Sequence, residues 1–128
     1  MPLIRNFREL KVYQAARAES QKIYVRSRNF PPEEKYSLTD QIRRSSRAVK
    51  AMVAEAWARR RYRAVFINKI DEALGEATET QSWLDDCLDC SYISPAEFKQ
   101  LDAAWQSIGA MLNKMIARAD DFCRKSES

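Results

Sequence analysis

The sequence predicts an all-α protein: one domain over residues 1–128, folded as an antiparallel up-down-up-down four-helix bundle. Composition is the first observation. Only two glycines, Gly75 and Gly109, and four prolines interrupt stretches rich in Ala, Leu, Arg, Glu and Gln, which favours helix and leaves little room for a β-sandwich. Periodicity is the second, because apolar side chains recur at alternating spacings of three and four, the signature of a helix with one buried face. The third is punctuation: four such stretches, about 6–28, 37–61, 64–89 and 95–123, are joined by short connections. At 1.5 Å of rise per residue they make a bundle roughly 35–40 Å long. A chain of 128 residues is long enough to bury a real core without disulfides or metal.

The first helix is expected to start at Asn6, a good N-cap with Glu9 three residues on, in the pattern of a capping box. Its inward stripe is Phe7, Leu10, Tyr13, Ala16, Ser20 and Ile23, flanked by Val12 and Tyr24. Pro31 and Pro32 stop it, since proline lacks an N–H and disfavours helical geometry in the residue before it, and Phe30 is placed to fold back as a plug on the bundle end. The second helix takes Ser37 and Asp40 as its cap, with Leu38, Ile42, Ser45, Val49, Met52 and Ala56 as its seam. The third follows with little or no loop and buries Phe66, Ile70, Ala73, Ala77, Thr80, Leu84 and Cys87. The fourth has the clearest start, Ser94-Pro95-Ala96-Glu97, a capping box with proline at the first helical position. From Phe98 through Leu101, Trp105, Ile108, Leu112, Met115 and Ala119 to Phe122 its seam is the most regular in the chain. Residues after about Cys123 are polar and should fray. Val53, Trp57, Trp83, Ala104 and Met111 fall beside the main seams, as surface that a second subunit would cover or as the edge of a wide core.

Charge divides the chain. The net charge of +4 is the sum of a basic half and an acidic one: residues 1–63 hold 16 Lys and Arg against 6 Asp and Glu, and residues 64–128 hold 6 against 12. On the second helix, placing residues about 100° apart gathers Arg43, Arg47, Lys50 and Arg61 into a stripe beside the core seam. Arg59, Arg60 and Arg63 extend it at the helix end, with Arg60 on the core side of the wheel. A solvated face is the ordinary meaning of such charges. The small Ala51, Ala54 and Ala58 among them would also let a second helix or a phosphate backbone approach.

Enzyme chemistry finds little to work with. The chain has no histidine, which removes the Glu-x-x-His motif of bundle di-metal sites and any histidine general base. Glu72, Glu76 and Glu79 lie on one helix at spacings of four and three and could hold a hard cation, but solvated acidic faces are far commoner. Cys87 and Cys90 have redox-motif spacing without the βαβ setting that gives it meaning, and Cys123 makes only three thiols, too few for a structural zinc in one chain. No cofactor is expected. No apolar run approaches the roughly 20 residues of a membrane span, and MPLIRNFREL lacks a signal peptide's apolar core, so a cytoplasmic protein with reduced thiols is expected.

Several runs resemble a known family. Asn6-Phe-Arg-Glu-Leu-Lys-Val-Tyr-Gln, Phe30-Pro31, Glu34-Lys-Tyr-Ser-Leu-Thr-Asp-Gln-Ile-Arg-Arg44, Ala54-Glu55, Glu79-Thr-Gln81 and Tyr92-Ile-Ser94 are similar to the four-helix-bundle proteins encoded in intervening sequences of bacterial 23S ribosomal RNA genes. Where that family usually reads Ser-Ile-Pro-Ser-Asn-Ile-Ala-Glu-Gly, this chain has Ala48-Val-Lys-Ala-Met-Val-Ala-Glu-Ala56. The resemblance implies a non-catalytic homopentamer of bundles. It also implies kinship with the accessory variability protein of diversity-generating retroelements, whose basic barrels bind nucleic acid and a reverse transcriptase.

The resulting expectation is a non-catalytic helical-bundle oligomer that binds RNA or DNA phosphates, with weak sequence preference, through Arg43, Arg47, Lys50, Arg59, Arg60, Arg61 and Arg63. The alternative is a protein-protein adaptor with no nucleic-acid binding.

Overall fold

The computed structural model describes residues 4–123, in which four long helices carry the chain: α1 (Lys11–Ser27), α2 (Leu38–Ala58), α3 (Arg63–Asp89) and α4 (Pro95–Ala117). A single turn, α5 (Ala119–Phe122), follows α4, and no strand occurs among the described residues. The expected fraying after Cys123 lies outside them. α2 packs between α1 and α3, α3 packs on α4, and α4 closes the ring on α1. Rising numbers on one helix meet falling numbers on the next: Ser27 meets Arg43 and Tyr24 meets Arg47, Arg44 meets Glu79 and Glu55 meets Lys69. Gln81 against Asp102 and Arg63 against Asp120 show the same for α3 and the α4–α5 segment. Consecutive helices therefore run antiparallel.

The buried residues are the seams that periodicity marks. Ile42, Val49, Phe66, Ile70, Leu84, Trp105, Ile108 and Leu112 are all at most 1% exposed, and each large aliphatic or Phe side chain there contributes on the order of 2 kcal/mol by leaving water. On α2 the step after Val49 falls on Val53, fully buried, while Met52 is half-buried. The choice follows from the 3.6-residue turn, which drifts against a strict seven-residue repeat and carries the seam on by four residues here instead of three. Trp57, Trp83, Ala104 and Met111 are half-buried. Where α2 and α3 cross, Ser45 fits because its hydroxyl meets that of Thr80 at 2.9 Å, both residues having no exposed surface.

Helix ends depart from expectation in four places, each for a visible reason. Asn6 does cap, its Oδ1 accepting from the Arg8 N–H at 2.9 Å, but it opens only a 3-10 turn over Phe7–Glu9. The Glu9 carboxylate accepts from the Arg5 N–H rather than that of Asn6, so no capping box closes, Leu10 is extended, and α1 begins at Lys11 instead of residue 6. Ser37 does not cap α2. Its hydroxyl donates to Glu34 Oε1 at 2.6 Å, and the Glu34 carboxylate also takes the Tyr92 hydroxyl at 2.8 Å. Those donors, Ser37 first, hold its carboxyl below the usual range. α2 stops at Ala58, not residue 61, and Arg59 to Tyr62 form the turn into α3, closed by the Tyr62 N–H to the Arg59 carbonyl at 2.9 Å. α4 ends at Ala117 rather than 123, because Arg118 leaves helical geometry and α5 restarts the chain to lay Phe122 against Phe66, ring centroids 5.8 Å apart.

The Ser94 box forms as expected: Ser94 Oγ accepts from the Glu97 N–H, and Glu97 Oε1 from the Ser94 N–H, both at 3.1 Å. Glu97 also receives Arg26 Nε at 2.7 Å, and Arg26 Nη2 donates to the Tyr92 carbonyl at 2.8 Å. This ties the end of α1 to the start of α4. The Arg26 guanidinium, then the Ser94 N–H, hold the Glu97 carboxyl down to about 2. Phe30 closes the same bundle end against Tyr92, ring centroids 5.3 Å apart.

Candidate nucleic-acid interface

The seven basic residues singled out on and after α2 fall into two groups. Arg43, Arg47 and Lys50 lie along the helix. Arg59 to Arg63 lie in and after the turn, about 13 Å further along the axis from Lys50 at 1.5 Å per residue. The alanines between them remain available: Ala51 and Ala58 are exposed and Ala54 is half-buried.

Within the helical group the packing sorts the side chains. Arg43 is half-buried, donates from Nε to Ser27 Oγ at 2.7 Å, and places its guanidinium 4.7 Å from the centre of the Tyr24 ring. It is a structural tie to α1. Arg47, exposed, rests on the same ring at 4.8 Å. A guanidinium on an aromatic face loses little charge to neutralisation and gains direction. Lys50 is half-buried and makes no ion pair among the described residues.

The turn group is also divided. Arg60 folds back over Trp57, with its guanidinium 4.0 Å from the ring centre and Nη1 donating to the Trp57 carbonyl at 2.8 Å. Its core-side position on the wheel becomes a cap over the end of α2. Arg63 donates from Nε to Asp120 Oδ1 at 2.6 Å, a bond that raises its pKa. Arg59 and Arg61 are exposed with no ion pair among the described residues, and Arg61 stands 5.7 Å from the ring centre of Tyr62, itself 54% exposed. Among the described residues only Arg63 of the seven pairs with a carboxylate, and of the other six Arg47, Lys50, Arg59 and Arg61 are also free of a side-chain hydrogen bond to the protein. Arg43 and Arg60 are held by packing, and Arg63 is paired.

Three carboxylates of α3 are engaged away from this face. Arg44, on the α3 side of α2, bridges Glu76 at 3.2 Å and also pairs with Glu79. Lys69 joins Glu55 and Glu72 at 3.2 and 3.3 Å. Glu72, Glu76 and Glu79 thus each face a cation, and no group of three or more His, Cys, Asp or Glu among the described residues is arranged to hold a metal ion. Burial pushes the Cys87 thiol up to about 12, and Cys90 is exposed near the helix end. Sequence reasoning had not found Tyr24 as the platform for two arginines. The signal was present, since Tyr24 flanks the inner stripe of α1 where α1 must meet α2.

Fold and surface together define a four-helix bundle with a cationic face on one helix and its following turn. The comparisons with known proteins identify the lineage. The sequence pattern of the 23S rRNA-intervening sequence protein family matches residues 8–114, and the chain belongs to that family. A solved structure of a protein of unknown function from the S23 ribosomal protein family, from Bacteroides thetaiotaomicron VPI-5482, is similar over 83% of this chain and 95% of its own, at 28% identity and a TM-score of 0.75. None of the curated proteins compared with this chain matches it. No helix among the described residues is long and apolar enough to cross a membrane.

Proposed function

We propose that this protein is a non-catalytic, oligomeric nucleic-acid-binding bundle that holds RNA or DNA phosphates through α2 and the turn after it. The observation that carries the reading is that Arg47, Lys50, Arg59 and Arg61 have no ion-pair partner among the described residues, while Glu72, Glu76 and Glu79 of α3 are met by Arg44 and Lys69. Cations one helical turn apart follow a phosphate backbone, and small residues between them let it approach. Nothing on this face reads base edges, and Tyr62 stacks on any base, so sequence preference is weak.

Assembly into a homopentamer follows the family resemblance and would repeat the face around a ring, adding weak sites together. The same resemblance supplies a reverse transcriptase as the kind of protein partner, while the cytoplasm as the compartment rests on the sequence, which has no apolar run of membrane-span length. Affinity for RNA and duplex DNA is expected to fall log-linearly with salt, and Arg59→Ala/Arg60→Ala/Arg61→Ala to flatten the slope by up to about 0.9 per lost duplex contact. A parent protein that binds neither, or a triple variant indistinguishable from it at every salt concentration, would favour the adaptor reading. Light scattering that shows a monomer at all concentrations would remove the pentamer.

A further inference from the structure

An open groove of about 700 Å³ runs between the start of α1 and the end of α4. Its floor is apolar, formed by Leu10, Val12, Met111 and Met115 with Phe122 at one end. Its rim is cationic: Lys11, Lys114 and Arg118 line it, all three exposed, and none makes an ion pair among the described residues. Glu9 is the one carboxylate among the described residues that line it, and it already accepts the Arg5 N–H. No residue of this groove belongs to the α2 face.

We propose that the groove docks an acidic amphipathic helix of a partner protein. The floor supplies the adaptable thioether and aliphatic surface that such helices bury, and the rim supplies charge opposite to the carboxylates beside their apolar stripe. Length agrees. From Met111 to Arg118 is about 10 Å at 1.5 Å per residue, which receives anchors at i, i+4 and i+7 of a docked helix.

Nucleic acid fits the floor less well. Aliphatic side chains and methionines offer a base no flat ring, and the one aromatic, Phe122, already stacks on Phe66. A second copy of this chain is also a poor complement. Its densest run of acid lies on α3 between Asp71 and Asp89, and none of the exposed large apolar side chains among the described residues, Val25, Tyr36, Tyr62 and Val65, lies in that stretch.

The test uses the full chain and a labelled 16-residue peptide with Leu at helical spacing and Glu elsewhere, beside a Lys-for-Glu version and a shuffled one. In fluorescence anisotropy at low salt the Glu peptide is expected to bind at least tenfold more tightly than either control. Lys114→Glu/Arg118→Glu should reverse the charge preference, and Met111→Gln should weaken the Glu peptide at least fivefold. Lys99→Glu, at the other end of α4, should leave binding unchanged. Equal affinity for the Glu and Lys peptides, or indifference to the charge-reversal pair, overturns the proposal. So does a change in sedimentation with Met111→Gln, which would make the groove a contact between copies, or peptide displacement by an oligonucleotide whose own binding needs Met111. If Met111→Gln does not fold, the exposed charge-reversal pair alone decides.

Discussion

Thr80→Val keeps the shape of a core side chain and deletes the hydroxyl on which the α2–α3 crossing is keyed. Thr80 Oγ1 lies 2.9 Å from the Glu76 carbonyl and 2.9 Å from Ser45 Oγ. Its single proton goes to the carbonyl, so Ser45 must be the donor in the second contact. With the Thr80 oxygen gone, the Ser45 hydroxyl is left with the Ile42 carbonyl at 3.4 Å, long for an O–H donor. A buried hydroxyl without a partner costs about 1–3 kcal/mol, and the new methyl offsets part of this, so a loss of about 1–2 kcal/mol is expected. Ser45→Ala leaves Thr80 bonded to Glu76 and should cost about 0.5–1 kcal/mol. The double variant has no stranded hydroxyl, and its loss should fall short of the sum of the singles by about 1 kcal/mol. Urea unfolding of all four proteins at one concentration, with a common m-value, measures this. Additivity within about 0.3 kcal/mol would refute the idea that the two hydroxyls form one unit.

Three further outcomes follow from the same structure. Glu97 has its pKa depressed in the folded state, so its contribution is present above the unfolded carboxyl value and lost as pH falls toward about 2; Glu97→Gln should flatten the acid limb of a stability-versus-pH curve between about pH 4.5 and 2, and a parent curve already flat there would contradict the Arg26–Glu97 tie. Gly75→Ala should raise stability by about 0.5–1 kcal/mol, because a Cβ there meets nothing within 4 Å in the middle of α3, and thermal unfolding showing a loss would contradict it. Cys87→Ala should cost about 1–2 kcal/mol by leaving a small cavity, Cys90→Ala nearly nothing since it is exposed, and neither should change nucleic-acid affinity in a filter-binding assay.

The seams of α3 and α4 were legible in the sequence residue by residue, from Phe66 to Cys87 and from Trp105 to Ala119, because a regular alternation has one solution on a straight helix. On α2 a strict alternation of fours and threes pointed to Met52, and the drift of the 3.6-residue turn against that repeat puts Val53 in the core instead. Helix ends were legible where the chemistry is local, as in the Ser94–Glu97 box. They were not where a side chain finds a partner across the bundle end, as Glu34 does in bridging Ser37 and Tyr92. The end of α2 carries no glycine or proline to announce it. What stops the helix is the bundle's length, since the seam ends at Ala56 and resumes at Phe66 on the returning helix. In the candidate interface the basic stripe was visible as composition and spacing. Which members keep their charge free was not, because that depends on Tyr24, Trp57 and Asp120, brought up from other turns and helices.

The most direct test compares salt slopes of nucleic-acid affinity for single alanine variants of the turn. Arg59 and Arg61 are exposed and unpaired among the described residues, whereas Arg60 caps Trp57 and Arg63 holds Asp120. On duplex DNA, Arg59→Ala and Arg61→Ala should each flatten the plot of log K against log salt by up to about 0.9, while Arg60→Ala and Arg63→Ala change it less. Four equal slopes matching the parent's, or no binding by the parent at low salt, would contradict a phosphate-binding role for this face.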